Sequence, residues 1–278
     1  MSAPILSGSA IGVFDSGFGG LNILSALIDL MPRESFVYLG DSLRSPYGDR
    51  PPEEVKQFSE QIVDYLVNRY ELKLVVVACN TASAVAIDAL AARSPVPVIG
   101  VIEAGVKAIS AASGSREVGV LGTSATINSR AYQSRLSHLK VTAAACPGLV
   151  EHVEAGDLES TELRALMRGL LQPVAEAGVD SVLLACTHYP YLAHLFKEIL
   201  GEEVLLISSA EETAFQVSRV IKSSPVPAES ARVEFLCTGD VDEFLRVGRR
   251  LFGQGLAKVE RVDLLAGERE GYIGDQAS

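Results

Sequence analysis

The sequence has no tryptophan, only four cysteines in 278 residues, and no long run of apolar or basic side chains. So few cysteines cannot form a disulfide scaffold, and no Cys-x-x-Cys or His-x-x-x-His pair offers a zinc site. No apolar stretch reaches the ~20 residues of a membrane-spanning helix. With 24 Lys and Arg against 35 Asp and Glu, the chain also lacks the clustered cations that nucleic-acid binding needs.

The N-terminal segment lacks the basic region of a secretory signal, so we expect a cytoplasmic protein. Hydrophobic residues make up 48% and charged residues 21%, the balance of a folded globular chain. The tail over residues 266–278 is polar and contains glycine, and we expect it to be loose.

Short aliphatic or β-branched runs alternate with segments of helical periodicity. This alternation predicts an α/β fold with doubly wound parallel sheets, whose ligands bind at the carboxyl ends of the strands. Amphipathic helices are expected around residues 55–66 and 163–174. The predicted strands are Ile11–Phe14, Phe36–Leu39, Leu74–Ala78, Val96–Ile99, Glu117–Leu121, Val141–Ala145, Ser181–Ala185, Val204–Ile207 and Val233–Leu236.

An internal repeat divides the chain. Residues 11–16 (IGVFDS) resemble 118–123 (VGVLGT), and residues 75–81 (VVVACNT) resemble 182–188 (VLLACTH). Both pairs share one offset of 107 (118 − 11 and 186 − 79). We infer two similar parallel-sheet domains related by pseudo-twofold symmetry, with the active site between them. The predicted domains are residues 1–98 plus 210–278, and residues 99–209.

The glycine-rich loop Asp15–Gly20 follows the first strand directly. Its glycines would let backbone N–H groups approach a ligand closely, but a purely structural turn explains the loop equally well. It lacks the Gly-x-Gly-x-x-Gly spacing of dinucleotide-binding loops and the Gly-Lys-Ser/Thr of a P-loop. The sequence therefore disfavours an NAD or ATP site.

Two of the four cysteines, Cys79 and Cys186, occupy equivalent positions in the repeat. Each ends an apolar strand and is followed by polar residues, a setting in which a helix N-terminus favours a reactive thiolate. A lone cysteine there would be read as a small buried hydrophobe, but the duplicated pair favours function. Cys146 and Cys237 lack this setting, and we assign them to structure. Of the histidines only His188 adjoins a candidate cysteine, and we assign the others to the surface.

Seven stretches carry the most specific pattern of the chain. They are Ile11–Leu21, Tyr38–Gly48, Val75–Ala84, Val98–Glu103, Gly119–Tyr132, Cys146–Gly156 and Leu184–Tyr189. Together they closely resemble the glutamate racemases, cofactor-independent members of the aspartate/glutamate racemase superfamily. One departure is Ala104, where that family often has proline.

The resemblance implies interconversion of L- and D-glutamate without pyridoxal phosphate or metal, supplying D-glutamate for bacterial peptidoglycan. It implies that Cys79 takes the proton from D-glutamate and Cys186 from L-glutamate. Asp15 would assist on the Cys79 side and His188 on the Cys186 side. The implied substrate-binding residues are Asp15, Ser16, Tyr47, Gly48, Asn80, Thr81, Thr123, Thr126, Glu154, Thr187 and His188.

Racemisation requires two acid/base groups on opposite faces of one carbon, and a thiol can be tuned for this task from a pKa near about 8.5. The matching stretches contain no lysine or arginine that we assign to the substrate carboxylates. We therefore expect backbone N–H groups and polar side chains to bind these carboxylates in a site that closes over the substrate.

Three other functions fit the pattern less well. The first is a sibling activity such as aspartate racemisation, although the Ser45–Gly48 loop favours glutamate. The second is a non-catalytic amino-acid-binding protein on the same scaffold. The third is a thiol redox protein that uses Cys79 and Cys186 as a disulfide pair. The oligomeric state is not encoded in any motif, and a homodimer is compatible with the sequence.

Overall fold

The chain forms two separate β-sheets in which every strand pairing is parallel. A computed structural model describes residues 9–221 and 231–264, so the tail expected to be loose, residues 266–278, lies outside the described residues. The strands are β1 Ala10–Asp15, β2 Phe36–Gly40, β3 Leu72–Val77, β4 Val98–Gly100, β5 Glu117–Gly122, β6 Lys140–Ala145, β7 Ser181–Ala185, β8 Leu205–Ile207, β9 Val233–Cys237 and β10 Glu260–Arg261.

Helices connect the strands and cover both sheets, as parallel crossovers require. They are α1 Leu21–Leu30, α2 Pro52–Arg69, α3 Asn80–Val85, α4 Ile87–Arg93, α5 Ile102–Ala112, α6 Ser124–Asn128, α7 Ala131–Arg135, α8 Leu149–Ala155, α9 Thr161–Ala177, α10 Ala193–Leu200, α11 Ala210–Val220 and α12 Val241–Phe252. Within the described parts of the chain, none of these helices is long and apolar enough to cross a membrane.

The two sheets repeat one arrangement. The first sheet has the order β10-β9-β2-β1-β3-β4, and the second has β6-β5-β7-β8. The strand register repeats as well. Ile11 pairs with Leu74 in the first sheet, and Val118 pairs with Ser181 in the second. The residue numbers of both partners therefore differ by 107 between the sheets (118 − 11 and 181 − 74). The predicted duplication of a parallel-sheet α/β unit is thereby confirmed, and β9 and β10 extend only the first sheet.

All nine predicted strands are present, each with its ends within two residues of the prediction. Strand β10 was not predicted, because its two residues are the charged, exposed Glu260 and Arg261. The proposed domain boundary between residues 98 and 99 falls inside β4, which pairs with β3 through Val98–Gly100. The division into domains itself stays a prediction.

Alternating side chains of the strands build a core on each face of the sheets. In β1, Ile11 and Val13 pack on the side of α1, whereas Phe14 packs on the side of α2. All three are fully buried, and burial of each such side chain contributes roughly 1.5–3 kcal/mol before the entropic cost of ordering it. Such a core holds the strand ends, and the loops that follow them, in fixed positions.

The two amphipathic helices expected from periodicity are confirmed in α2 and α9. Helix α2 starts with a proline in its first turn, which suits a position whose N–H has no helical partner. Helix α9 is capped by Ser160, whose hydroxyl accepts a hydrogen bond from the N–H of Leu163 at 3.0 Å. It ends at Gly178 in the left-handed conformation that favours glycine.

Candidate active site

The carboxyl ends of the two sheets meet around one small cavity. Cys79 and Cys186 follow the equivalent strands β3 and β7, and both line this cavity. About 20 Å³ of it is open to the centre of a water-sized sphere, which is room for one water molecule. The lining residues are Ser16, Pro46, Tyr47, Gly48, Cys79, Asn80, Thr81, Thr123, Val150, Cys186, Thr187 and His188.

Most of the residues expected at the site lie on the cavity wall. The three exceptions, Asp15, Thr126 and Glu154, each contact a lining residue through a hydrogen bond. Pro46 and Val150 line the cavity without having been predicted, although both fall inside the stretches that carry the family resemblance. Apolar side chains in such stretches offer no chemical signal, because core packing explains them equally well.

Cys79 is the N-cap residue of α3. Its sulfur accepts a hydrogen bond from the N–H of Ala82 at 3.5 Å and donates to the hydroxyl oxygen of Ser16 at 3.7 Å. Burial, reinforced by the negative charge of Asp15, raises the pKa of Cys79 to about 12 despite these two bonds. In this closed structure Cys79 is therefore a thiol at neutral pH.

Cys186 lies beside an imidazole. Nδ1 of His188 is 3.9 Å from the Cys186 sulfur, and Nε2 of the same ring is 2.9 Å from Oε1 of Glu154. Burial alone would lower the pKa of His188, but the hydrogen bonds to Cys186 and Glu154 outweigh it and raise the pKa to about 10. The sulfur of Cys186 consequently faces a protonated imidazole at neutral pH. Glu154, expected to hold substrate, lies behind His188.

Asp15 is fully buried at the end of β1. One carboxylate oxygen accepts the N–H of Gly17 at 2.9 Å, and the other accepts the hydroxyl of Thr187 at 3.5 Å. Burial raises the pKa of Asp15 above its usual value, although the positive charge of His188 opposes this. The carboxylate therefore influences Cys79 electrostatically and also contacts the loop that carries Cys186.

Three threonine hydroxyls join the two sheets at the cavity. Oγ1 of Thr81 is 2.9 Å from Oγ1 of Thr123, which in turn donates to Oγ1 of Thr126 at 2.9 Å. Tyr47 also lines the cavity, but its hydroxyl donates to the buried carboxylate of Asp41. The cluster gives the wall several donors and acceptors without any charge of its own.

The remaining cysteines and histidines lie off the cavity wall. Cys146 and Cys237 are buried, and each donates its S–H to a nearby carbonyl, at 3.8 and 3.7 Å respectively. Burial raises the pKa of Cys146 to about 12, which leaves it unreactive. His138 and His194 are exposed, and His152 pairs with Asp157 outside the cavity.

The lining contains no lysine or arginine. Over residues 9–221 and 231–264, no group of three or more His, Cys, Asp or Glu side chains is placed to hold a metal ion. The chemistry available at the wall is thus that of two thiols, hydroxyls, one amide and one imidazole.

Fold and site together define a duplicated α/β protein in which two cysteines from equivalent loops line one cavity. The model of the Asp/Glu/Hydantoin racemase family matches residues 22–217, and the chain belongs to this family. It is 41% identical to a glutamate racemase of Geobacter metallireducens, over 92% of this chain and 97% of that protein. It is accordingly an enzyme of the isomerase class.

Solved structures agree with this assignment. A glutamate racemase isoform from Bacillus anthracis superimposes with a TM-score of 0.86 at 39% identity, covering 92% of this chain and 98% of that one. The glutamate racemase of Francisella tularensis in complex with D-glutamate gives a TM-score of 0.83 at 30% identity, with coverage of 92% and 98%.

Proposed function

We propose that this enzyme interconverts L- and D-glutamate by proton transfer at Cα between two cysteines. The observation that carries the proposal is that Cys79 and Cys186 follow equivalent strands of a duplicated fold and line one cavity. A planar carbanion held between them would be within reach of one sulfur on each face. The Francisella relative was solved in complex with D-glutamate, which supports the choice of glutamate.

The two sulfurs have different neighbours, and the reaction needs one to start as a thiolate and the other as a thiol. The imidazolium of His188 lies beside Cys186 and supplies a positive charge there. Burial and Asp15 keep the proton on Cys79. Cys186 would take the proton from L-glutamate, and Cys79 would return one to the other face. In the opposite direction Cys79 would first lose its proton, with Asp15 as its assisting base.

Neutral donors would bind the two carboxylates of the substrate. The hydroxyls of Thr81 and Thr123 and the amide of Asn80 belong to the cavity wall, and α3 and α6 begin at lining residues, which brings the N–H groups of their first turns near it. Hydrogen bonds to the α-carboxylate strengthen as negative charge develops there in the transition state. They therefore stabilise that state more than the bound substrate.

The cavity is too small for glutamate as it stands, since about 20 Å³ admits only a water-sized probe. The two sheets must therefore separate for substrate to enter and close again over it. Closure would exclude water, which strengthens every electrostatic interaction around the reacting carbon. The D-glutamate produced would serve peptidoglycan synthesis, as the family resemblance implies.

The experiment that tests the function is proton NMR in D₂O with reductant present and no cofactor added. Loss of the Cα–H signal of L-glutamate, together with growing D-glutamate, is the expected result. Exchange with L-aspartate alone would transfer the assignment to aspartate. Absence of exchange with both would leave only a binding role.

Two cysteine variants make this test specific. Cys79→Ala should abolish racemisation, because no proton donor then remains on one face of the carbon. Cys237→Ala removes a buried cysteine of the same sheet outside the cavity and should retain activity. Near-normal turnover by Cys79→Ala would contradict the two-cysteine mechanism.

A further inference from the structure

The residue after each cavity cysteine is held by a side chain from the opposite sheet unit. Thr187 follows Cys186 in the second unit, and its carbonyl accepts a hydrogen bond from Nδ2 of Asn22 in α1 at 2.7 Å. Asn80 follows Cys79 in the first unit, and its Oδ1 accepts a hydrogen bond from the hydroxyl of Tyr132 in α7 at 2.6 Å. The two contacts cross the interface in opposite directions.

Asn22 is placed for this single bond. Its Nδ2 reaches the carbonyl of Thr187, whereas its Oδ1 is buried with no partner among the residues that the structure describes. An unpaired buried oxygen destabilises the fold, so packing alone does not explain an amide at this position. The bond fixes the backbone between Cys186 and His188, and with it the sulfur-to-imidazole contact.

Tyr132 makes the corresponding contact from the second unit. It is fully buried, and burial raises its pKa, so that its hydroxyl remains a donor at all ordinary pH values. Because that hydroxyl donates to Oδ1 of Asn80, the amide is oriented with its NH₂ group away from Tyr132. Gly105 of α5 makes room for the ring, since a Cβ there would lie 2.9 Å from a ring carbon of Tyr132.

We propose that Asn22 and Tyr132 are a pair of reciprocal positioning residues, each of which holds one cysteine loop from the opposite unit. The pair rests on the proposed two-cysteine racemisation. Asn22 sets the position of Cys186, which removes the proton of L-glutamate. Tyr132 sets the position of Cys79, which removes the proton of D-glutamate. The two units must be docked for either contact to form, so closure of the cavity aligns both sulfurs at once.

The kinetic consequence is specific. L- and D-glutamate are enantiomers, so their equilibrium constant is one, and kcat/KM must be equal in both directions for every variant. Misplacement of one cysteine therefore cannot make kcat/KM differ between the two directions. It changes how strongly each of the two proton-removal steps limits the rate. Primary isotope effects with L-[2-²H]- and D-[2-²H]glutamate measure this separately for Cys186 and Cys79.

The test uses two near-isosteric variants, Asn22→Leu and Tyr132→Phe. Loss of one neutral hydrogen bond should lower kcat/KM by about 2- to 10-fold. For Asn22→Leu, the isotope effect on kcat/KM should rise with deuterated L-glutamate and fall with deuterated D-glutamate. Tyr132→Phe should show the reverse.

Matched controls keep the donor group and change the location of its bond. Gln133 donates its amide to the carbonyl of Ile127 at 2.9 Å within the second unit and also has a buried oxygen without a partner, over the described residues. Tyr70 donates its hydroxyl to Glu234 at 3.0 Å within the first unit. Gln133→Met and Tyr70→Phe should leave both isotope effects at the wild-type values.

Several outcomes would overturn the proposal. One is lower activity with both isotope effects unchanged, because this is what a merely structural role would give. Another is a shift in the same direction for both positioning variants, and a third is an equal shift in the controls. If wild-type enzyme did not racemise glutamate, the proposed function would fail before these variants were compared.

Discussion

The contact between Glu154 and His188 gives the sharpest prediction about charge at the site. Glu154→Gln keeps the shape of the side chain and removes the negative charge that lies 2.9 Å from Nε2 of the ring. Burial of His188 would remain and would still disfavour the imidazolium. The ring should therefore titrate at lower pH in the variant than in the wild type.

The size of the effect follows from the geometry. A hydrogen bond to a charged group contributes ~1.5–3 kcal/mol, and about 1.4 kcal/mol corresponds to one pH unit. The titration midpoint of His188 should consequently move down by about one to two pH units from its wild-type value of about 10. The alkaline limb of the pH profile of kcat/KM should move by a similar amount, because the positive charge beside the Cys186 sulfur would then be lost at lower pH.

The assay is ¹⁵N NMR of the histidine ring nitrogens from pH 6 to pH 11, combined with the pH dependence of kcat/KM. Asp157→Asn is the matched control, because it removes the carboxylate 2.8 Å from His152 outside the cavity. That variant should leave both the titration of His188 and the kinetic profile in place. An unchanged midpoint for His188 in Glu154→Gln would refute the electrostatic argument.

Two further predictions concern the loop at the start of α1 and the pH dependence of stability. A Cβ on Gly19 would lie 2.3 Å from Oγ1 of Thr187 and 2.5 Å from Nδ1 of His188, so Gly19→Ala should lower kcat/KM by about 10²-fold through misplacement. Gly169→Ala, in open space on α9, should stabilise the fold by about 0.5–1 kcal/mol and leave kcat/KM unchanged; similar kinetics for both variants would contradict this view. The folded-state pKa of His188 is raised, so its stabilising contribution is complete below about pH 6.5 and is lost as pH rises through about 10. The free energy of unfolding, measured with urea under reducing conditions, should fall less over this pH range for His188→Gln than for wild type. An equal fall in both proteins would contradict this prediction.

The sequence was informative wherever the structure depends on local pattern. Buried parallel strands are short apolar runs, so all nine could be read directly, and the single offset of 107 identified the duplicated sheet. The same offset singled out Cys79 and Cys186 among four cysteines. Local pattern is sufficient for these features because strand burial and strand-end loops are determined by neighbouring residues.

Contacts between the two units leave no local pattern in the sequence. Asp15 reaches Thr187 across 172 positions, and Asn22 reaches Thr187 across 165, because of how the units dock. No periodicity or spacing encodes the docking of two sheets. Tyr132 was part of a recognised stretch, but only the fold shows that its hydroxyl binds the residue after Cys79.

The duplicated halves differ in the groups beside their cysteines. The offset of 107 aligns Cys79 with Cys186 but places His188 opposite Thr81, and Gly122 opposite Asp15. The carboxylate therefore belongs to one half and the imidazole to the other, so the two sulfurs have groups of opposite charge near them. Because the substrates are enantiomers, this asymmetry cannot favour either product at equilibrium. In the proposed mechanism it influences how kcat and KM share a common kcat/KM in each direction.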